Sequence, residues 1–158
     1  MGKPVNKILV TESADELFKM AELDIMSVDS LINNPRYPVD RMYSIICFHA
    51  TMAVEKFLKG YIINSGKTVE KIHNLDKLHK TAAEISTLFD EIANHCLLLN
   101  TYIPDVKYSS NNQLIKQDMD AILLAFKAIC NFPPIKLLRD SFSKAYNYDI
   151  VAEIVTGQ

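Results

Sequence analysis

A set of polar side chains that can bind an anion lies within one apolar helical pattern, RMYSIICFHATMAVEKFLKGYIINSG, at residues 41–66. His49 and Lys56 are seven residues apart, which places them two turns from each other on nearly the same stripe of an α-helix. Glu55 and Lys59 form an i,i+4 pair in the favourable order. An imidazole and two ammonium groups on one helix can bind a phosphate or an acidic partner. His49, Lys56 and Lys59 are therefore candidate binding residues.

The same pattern has a purely structural interpretation. Lys56 and Lys59 can be the solvated face of an amphipathic helix, and His49 can make a hydrogen bond between two helices. In that case each lysine contributes less than about 1 kcal/mol to stability, because exposed charges are screened by water. The spacing alone leaves both interpretations open.

Three motifs follow one another in an order typical of one family. They are FHATMAVEKFLKG at residues 48–60, IHNLDKL at 72–78 and NTYIPDVKY at 100–108. In this order they resemble the HEPN domain, the "higher eukaryotes and prokaryotes nucleotide-binding" family, over residues 13–132. That family has a helix with an Ala-x-Glu-Lys core, then a His-polar-Leu helix start, and later a Tyr-rich segment that usually ends in Arg-Tyr-Pro.

The resemblance adds three candidate ligand-binding residues: His73 in the second motif, and Lys107 and Tyr108 in the third. His73 also has a structural interpretation, a hydrogen bond to a neighbouring loop at a helix start. Lys107 stands where relatives have arginine, and Ser109 stands where they have proline. Lysine keeps the positive charge but lacks the planar fork that binds phosphate with two hydrogen bonds.

RNA-cutting members of the family carry an arginine followed after four to six residues by a histidine. The chain has three arginines, Arg36, Arg41 and Arg139. None of them has a histidine at that spacing, so we expect no catalytic residues and a non-catalytic binding subunit. Two alternatives remain open. One is a divergent metal-independent RNase with a composite site such as Lys107 with His95 or His49, and the other is a purely structural dimerisation module.

The resemblance also implies partners. It suggests a small nucleotidyltransferase, as in two-gene toxin–antitoxin pairs, or a nucleotide or RNA ligand. A homodimer is expected because the second and fifth helical segments hold more apolar positions than one bundle stripe requires. No cofactor or metal is expected: in the only candidate metal motif, His73-x-x-Asp76-x-x-His79, the two histidines are offset by about 120° on a helix.

Length and composition favour one compact domain. The chain has 158 residues, a formal charge of -2 and three cysteines, an odd number that argues against a disulfide framework. The near-neutral charge argues against a general nucleic-acid coat. Without a signal peptide or a membrane-length apolar run, the expected location is cytoplasmic.

The periodicity predicts an all-α, up-and-down helical bundle of four to five main helices with a short helical C-terminal extension. Ser13 and Glu16 have capping-box spacing, Asn74 is a candidate cap, and Pro104 is expected to stop a helix. The first predicted helix begins near residue 13. The other four span residues 38–66, about 74–85, 88–103 and 113–131, with a loop at 105–112. The predicted domains are an N-terminal arm (1–12), the HEPN-like bundle (13–132) and a C-terminal helical extension packed on the bundle (133–158).

Overall fold

The computed structural model describes residues 7–34, 36, 40–108, 114–147 and 150–151, without the side chains of 40, 41 and 104–108. Within these ranges the protein is an all-α bundle, as predicted. The helices are α1 (Ala14–Ile32), α2 (Asp40–Asn64), α3 (Leu75–Ile85), a 3-10 helix (Thr87–Ile92), α4 (Ala93–Tyr108), α5 (Lys116–Cys130) and α6 (Pro133–Tyr146). In the described part of the chain, the β-structure is an isolated bridge between Leu9 and Glu70.

Two helix starts are fixed by the caps that the sequence predicts. The Ser13 hydroxyl accepts a hydrogen bond from the Glu16 backbone N–H at 3.1 Å, and the Glu16 carboxylate accepts one from the Ser13 N–H at 3.2 Å. The Asn74 side chain accepts a hydrogen bond from the Lys77 N–H at the start of α3. These bonds satisfy backbone donors that a helix leaves open at its first turn.

The central helix is α2, which packs against α1, α3, α4 and α5. Its fully buried residues include Ile46, Ala50, Ala53 and Phe57. The helix ends at Asn64, slightly before the predicted end at Gly66, whose φ of 93° suits the glycine that follows a helix end.

The fourth helix departs from the prediction at both ends. It opens with the 3-10 helix and continues as α4 through Pro104 to Tyr108, so the predicted stop at Pro104 and the predicted loop at 105–108 are wrong. A proline inside a helix costs about 3 kcal/mol, which packing elsewhere along a helix can offset. Residues 109–112 of the predicted loop lie outside the described residues.

The C-terminal helix α6 contacts both α1 and α5. Pro133 occupies its first turn, where a proline costs no hydrogen bond. Ile135, Arg139 and Phe142 are buried on its inner face.

No single helix in the described ranges is long and apolar enough to cross a membrane; α5 and α6 together pass that test of length and composition but are bent by 67° at their junction.

Candidate functional site

The first polar cluster of the candidate site is built around Asp24 of α1. Its carboxylate contacts His49 Nδ1 at 2.8 Å through one oxygen and Lys56 Nζ at 2.5 Å through the other. An ionised carboxylate has no hydrogen to donate, so His49 Nδ1 carries the proton and donates it. The other ring nitrogen, Nε2, is then the polar atom of His49 that remains for another group, and the side chain is 27% exposed.

The second cluster is built around Glu55 of α2. Lys59, one turn later, donates to a Glu55 oxygen at 2.6 Å. His73 Nδ1 lies 3.0 Å from both Glu55 oxygens and donates for the same reason as His49. The bond of His73 therefore reaches back to α2 rather than to a neighbouring loop.

These clusters arise because α1 and α2 are packed antiparallel. Asp24 of α1 meets His49 and Lys56, whereas Phe18, almost two turns earlier on α1, packs against Phe57. The three candidate residues of α2, His49, Lys56 and Lys59, therefore lie along one seam, and His73 is joined to it through Glu55. Among the described residues, every buried side-chain nitrogen and oxygen in the protein has a hydrogen-bond partner.

The solvated-face interpretation is wrong for the lysines. Lys59 is only 6% exposed, and its partner Glu55 is 3% exposed. The Lys56 side chain is also largely covered. Lys59 is therefore part of a buried ion pair and Lys56 part of a largely covered one, so removing one partner costs more than losing a surface charge.

A cleft of about 290 Å³ opens where the second cluster reaches the surface. Its lining brings together three lysines, Lys56, Lys59 and Lys71, and the imidazole of His73. Two carboxylates, Glu12 and Glu55, and three apolar residues of the N-terminal segment and α1 complete the wall. We call this opening the cationic cleft.

Three of the six predicted binding residues line this cleft: Lys56, Lys59 and His73. His49 lies one cluster away, at the other side of Asp24. The side chains of Lys107 and Tyr108 lie outside the described residues, although the backbone of both belongs to α4.

Two residues of the arrangement are not apparent from the motifs. Asp24 falls on the apolar stripe of α1, between the core residues Ala21 and Val28. An acidic residue on a core stripe requires a buried partner, and this is a signal that the sequence does contain. Lys71 lies in the connection between α2 and α3, and the sequence gives no indication that it approaches the cleft.

The arginines do not contribute to the cleft as far as the structure describes them. Arg139 is buried, where it donates to both Glu22 oxygens at 2.5 and 3.1 Å and to the Val151 carbonyl at 2.8 Å. Burial alone lowers the pKa of Arg139, but the hydrogen bonds and charge of Glu22 outweigh it and raise the pKa above its ordinary value. Arg36 is exposed.

The three cysteines are buried and form no disulfide, and burial makes them poorly suited to act as nucleophiles. They are Cys47, Cys96 and Cys130. Burial raises the pKa of both Cys96 and Cys130 to about 12. A thiol with so high a pKa is protonated at neutral pH and unreactive. Within the described ranges, no group of three His, Cys, Asp or Glu side chains is arranged to hold a metal ion.

Comparison with known proteins gives one family. No curated protein and no solved structure gives a significant match. The family model described as HEPN domain matches residues 14–136, which include α1 to α5 and the start of α6. Membership suggests nucleotide binding or an RNase-type function, and the cationic cleft lies inside the matched region. The chain belongs to the HEPN family.

Proposed function

We propose that this protein is a non-catalytic HEPN subunit that binds a nucleotide through its phosphate groups in the cationic cleft. The observation that supports this function best is the convergence of Lys56, Lys59, Lys71 and His73 on one opening. Glu12 and Glu55 in the lining and Asp24 beside Lys56 balance the three lysines, so the cleft offers ammonium donors rather than a net positive charge.

The paired groups keep donors for a ligand. An ammonium group has three N–H donors, and the ion pairs of Lys56 and Lys59 each use one. His73 keeps Nε2, which donates when the ring is protonated. Lys71 is exposed and, among the described residues, makes no ion pair. A phosphate in the cleft would therefore gain new hydrogen bonds without breaking the existing pairs.

Lys71 provides the sharpest test, because its replacement leaves both buried clusters intact. ATP titrated by calorimetry should bind the wild type, and Lys71→Glu should weaken binding by about tenfold or more, since a carboxylate then faces the phosphate. The matched control is Lys136→Glu, an exposed lysine on α6. Raising the salt concentration should weaken binding as well, because exposed charges are screened over about 8–10 Å. Equal affinities for the wild type and both variants would remove the cleft as the site.

We also propose that the subunit acts with a small nucleotidyltransferase in a toxin–antitoxin-like pair. The support is membership of the HEPN family, for which the resemblance implies such a partner. Co-purification of the protein with the product of the neighbouring gene tests this pairing. A mixture of the two proteins that elutes as two separate species would exclude it.

The protein is further proposed to be a homodimer. Large apolar side chains outside both openings are exposed on α2 and α5, where they can pack against a second copy: Phe48 and Leu124. Sedimentation at micromolar concentration should give about twice the chain mass of 17.9 kDa. A monomer throughout this range would contradict the dimer.

A divergent RNase is the second candidate function, and one observation favours it. Asp24 fixes the His49 tautomer, so that Nε2 of the neutral ring is a hydrogen-bond acceptor. An imidazole held in this way can act as a general base if a hydroxyl group approaches it. Total RNA incubated with the protein distinguishes this function from binding.

A further inference from the structure

A second opening lies in the same seam between α1 and α2. It is a shallow groove of about 490 Å³ lined by four apolar residues, two serines and His49. The apolar residues are Leu23, Met26, Leu31 and Ile45. We call it the apolar groove.

The two openings are consecutive along the helices. On α1 the cationic cleft uses Leu17 and Met20, and the apolar groove begins at Leu23. On α2 the order is reversed, with His49 at the groove and Lys56 at the cleft, as antiparallel packing requires. Seven residues separate these two, which corresponds to about 10 Å along the helix axis.

Asp24 joins the two openings. Its two oxygens bond one residue from each, His49 of the groove and Lys56 of the cleft. Because Asp24 is itself buried, both side chains are fixed at the junction rather than free to rotate. A ligand that occupies both openings would pass beside an ordered imidazole.

The groove lining has the chemistry of a site for a flat, uncharged ring. Leu23 and Ile45 are 47% and 49% exposed, so they present apolar surface to solvent. Met26 adds a thioether, which packs favourably against aromatic rings. The Ser30 hydroxyl and His49 Nε2 offer a few polar contacts in an otherwise apolar surface, which is the usual composition of a small-molecule site.

We propose that the apolar groove binds the heteroaromatic base of the nucleotide whose phosphates lie in the cationic cleft. This inference rests on the proposed phosphate-binding function and extends it to the whole ligand: a nucleotide, rather than any polyphosphate. Inorganic phosphate fills only one end of the seam, whereas a nucleotide carries an anionic end and a flat apolar end. In this proposal the groove supplies selectivity, and the cleft supplies the hydrogen-bond donors for the phosphates.

The experiment compares two ligands and two variants. Calorimetric titration of the wild type with ATP and with inorganic tripolyphosphate should show ATP bound about tenfold more tightly, because only ATP buries apolar surface in the groove. Leu23→Ser and Ile45→Ser should reduce the affinity for ATP to that for tripolyphosphate and leave tripolyphosphate binding unchanged. The control is Leu137→Ser, an apolar residue on α6 that is also well exposed.

The outcomes separate the two proposals. Equal affinities of the wild type for ATP and tripolyphosphate, or groove variants that bind ATP as the wild type does, would overturn the groove proposal and leave the phosphate site standing. If neither ligand binds, the phosphate-binding function fails and the groove proposal fails with it. Should Ile45→Ser instead convert a dimer to a monomer with unchanged ATP affinity, the groove would be covered by a second copy and the proposal would be wrong.

Discussion

Replacing Lys59 by methionine is expected to destabilise the protein by about 3 kcal/mol. Removing one partner of a buried ion pair typically costs about 3–5 kcal/mol, because the remaining charge stays buried without full compensation. Glu55 retains His73 as a hydrogen-bond donor, which places the expected loss at the lower end of that range. Methionine has nearly the length of the lysine stem, so little packing is lost. With a urea dependence of about 2 kcal/mol per molar, the unfolding midpoint should fall by about 1.5 M.

The chain contains a matched control for this perturbation. Asp76 and Lys80 form the same i,i+4 pair of a lysine and a carboxylate at 3.1 Å, but the Lys80 side chain is 71% exposed. Lys80→Met should therefore cost no more than about 0.5 kcal/mol. A double variant, Lys59→Met with Glu55→Leu, should regain most of the loss, since the uncompensated carboxylate is gone. Similar small losses for Lys59→Met and Lys80→Met would refute the argument that burial of the pair determines its contribution.

Three further predictions concern other parts of the protein. Gly60→Ala should lower the free energy of unfolding, measured by urea denaturation, by about 1–3 kcal/mol, because an added Cβ would lie 2.4 Å from the Phe18 ring. A more stable variant would contradict this close approach. The three cysteines should resist a thiol reagent at pH 8 in the folded protein and react readily in denaturant, since all three are buried and burial raises the pKa of Cys96 and Cys130 to about 12; rapid labelling of the native protein would show that the thiols are accessible. Total RNA should stay intact with both wild type and His49→Ala; cleavage by the wild type that the substitution abolishes would instead establish the RNase alternative.

The parts of the fold that the sequence predicted are those set by short-range interactions. The starts of α1 and α3 depend on caps within three residues, Ser13 with Glu16 and Asn74 with the Lys77 N–H. The predicted end of α4 at Pro104 is wrong because the local effect of a proline is only one contribution to the stability of a helix. Packing of the rest of α4 against α2 and α5 involves segments far away in sequence, which no local rule describes.

The candidate site was predictable in part for the same reason. His49, Lys56 and Lys59 share one helix, so their spacing alone placed them on related faces. Asp24, the partner of His49 and Lys56, is 25 and 32 residues away from them, and the pairing depends on how α1 packs against α2. Burial of Lys59 could not be read from periodicity, since a lysine on a polar stripe is ordinarily solvated.

The ion pair between Glu22 and Arg139 has a consequence for where this domain can be divided. Arg139 lies three residues beyond the end of the family match at residue 136, whereas Glu22 lies inside it. A fragment trimmed to residues 14–136 would keep the carboxylate in the interior and lose the guanidinium that neutralises it, together with Phe142. We therefore expect the smallest unit that folds independently to include the whole of α6, which makes this helix part of the cooperative structure rather than a removable tail.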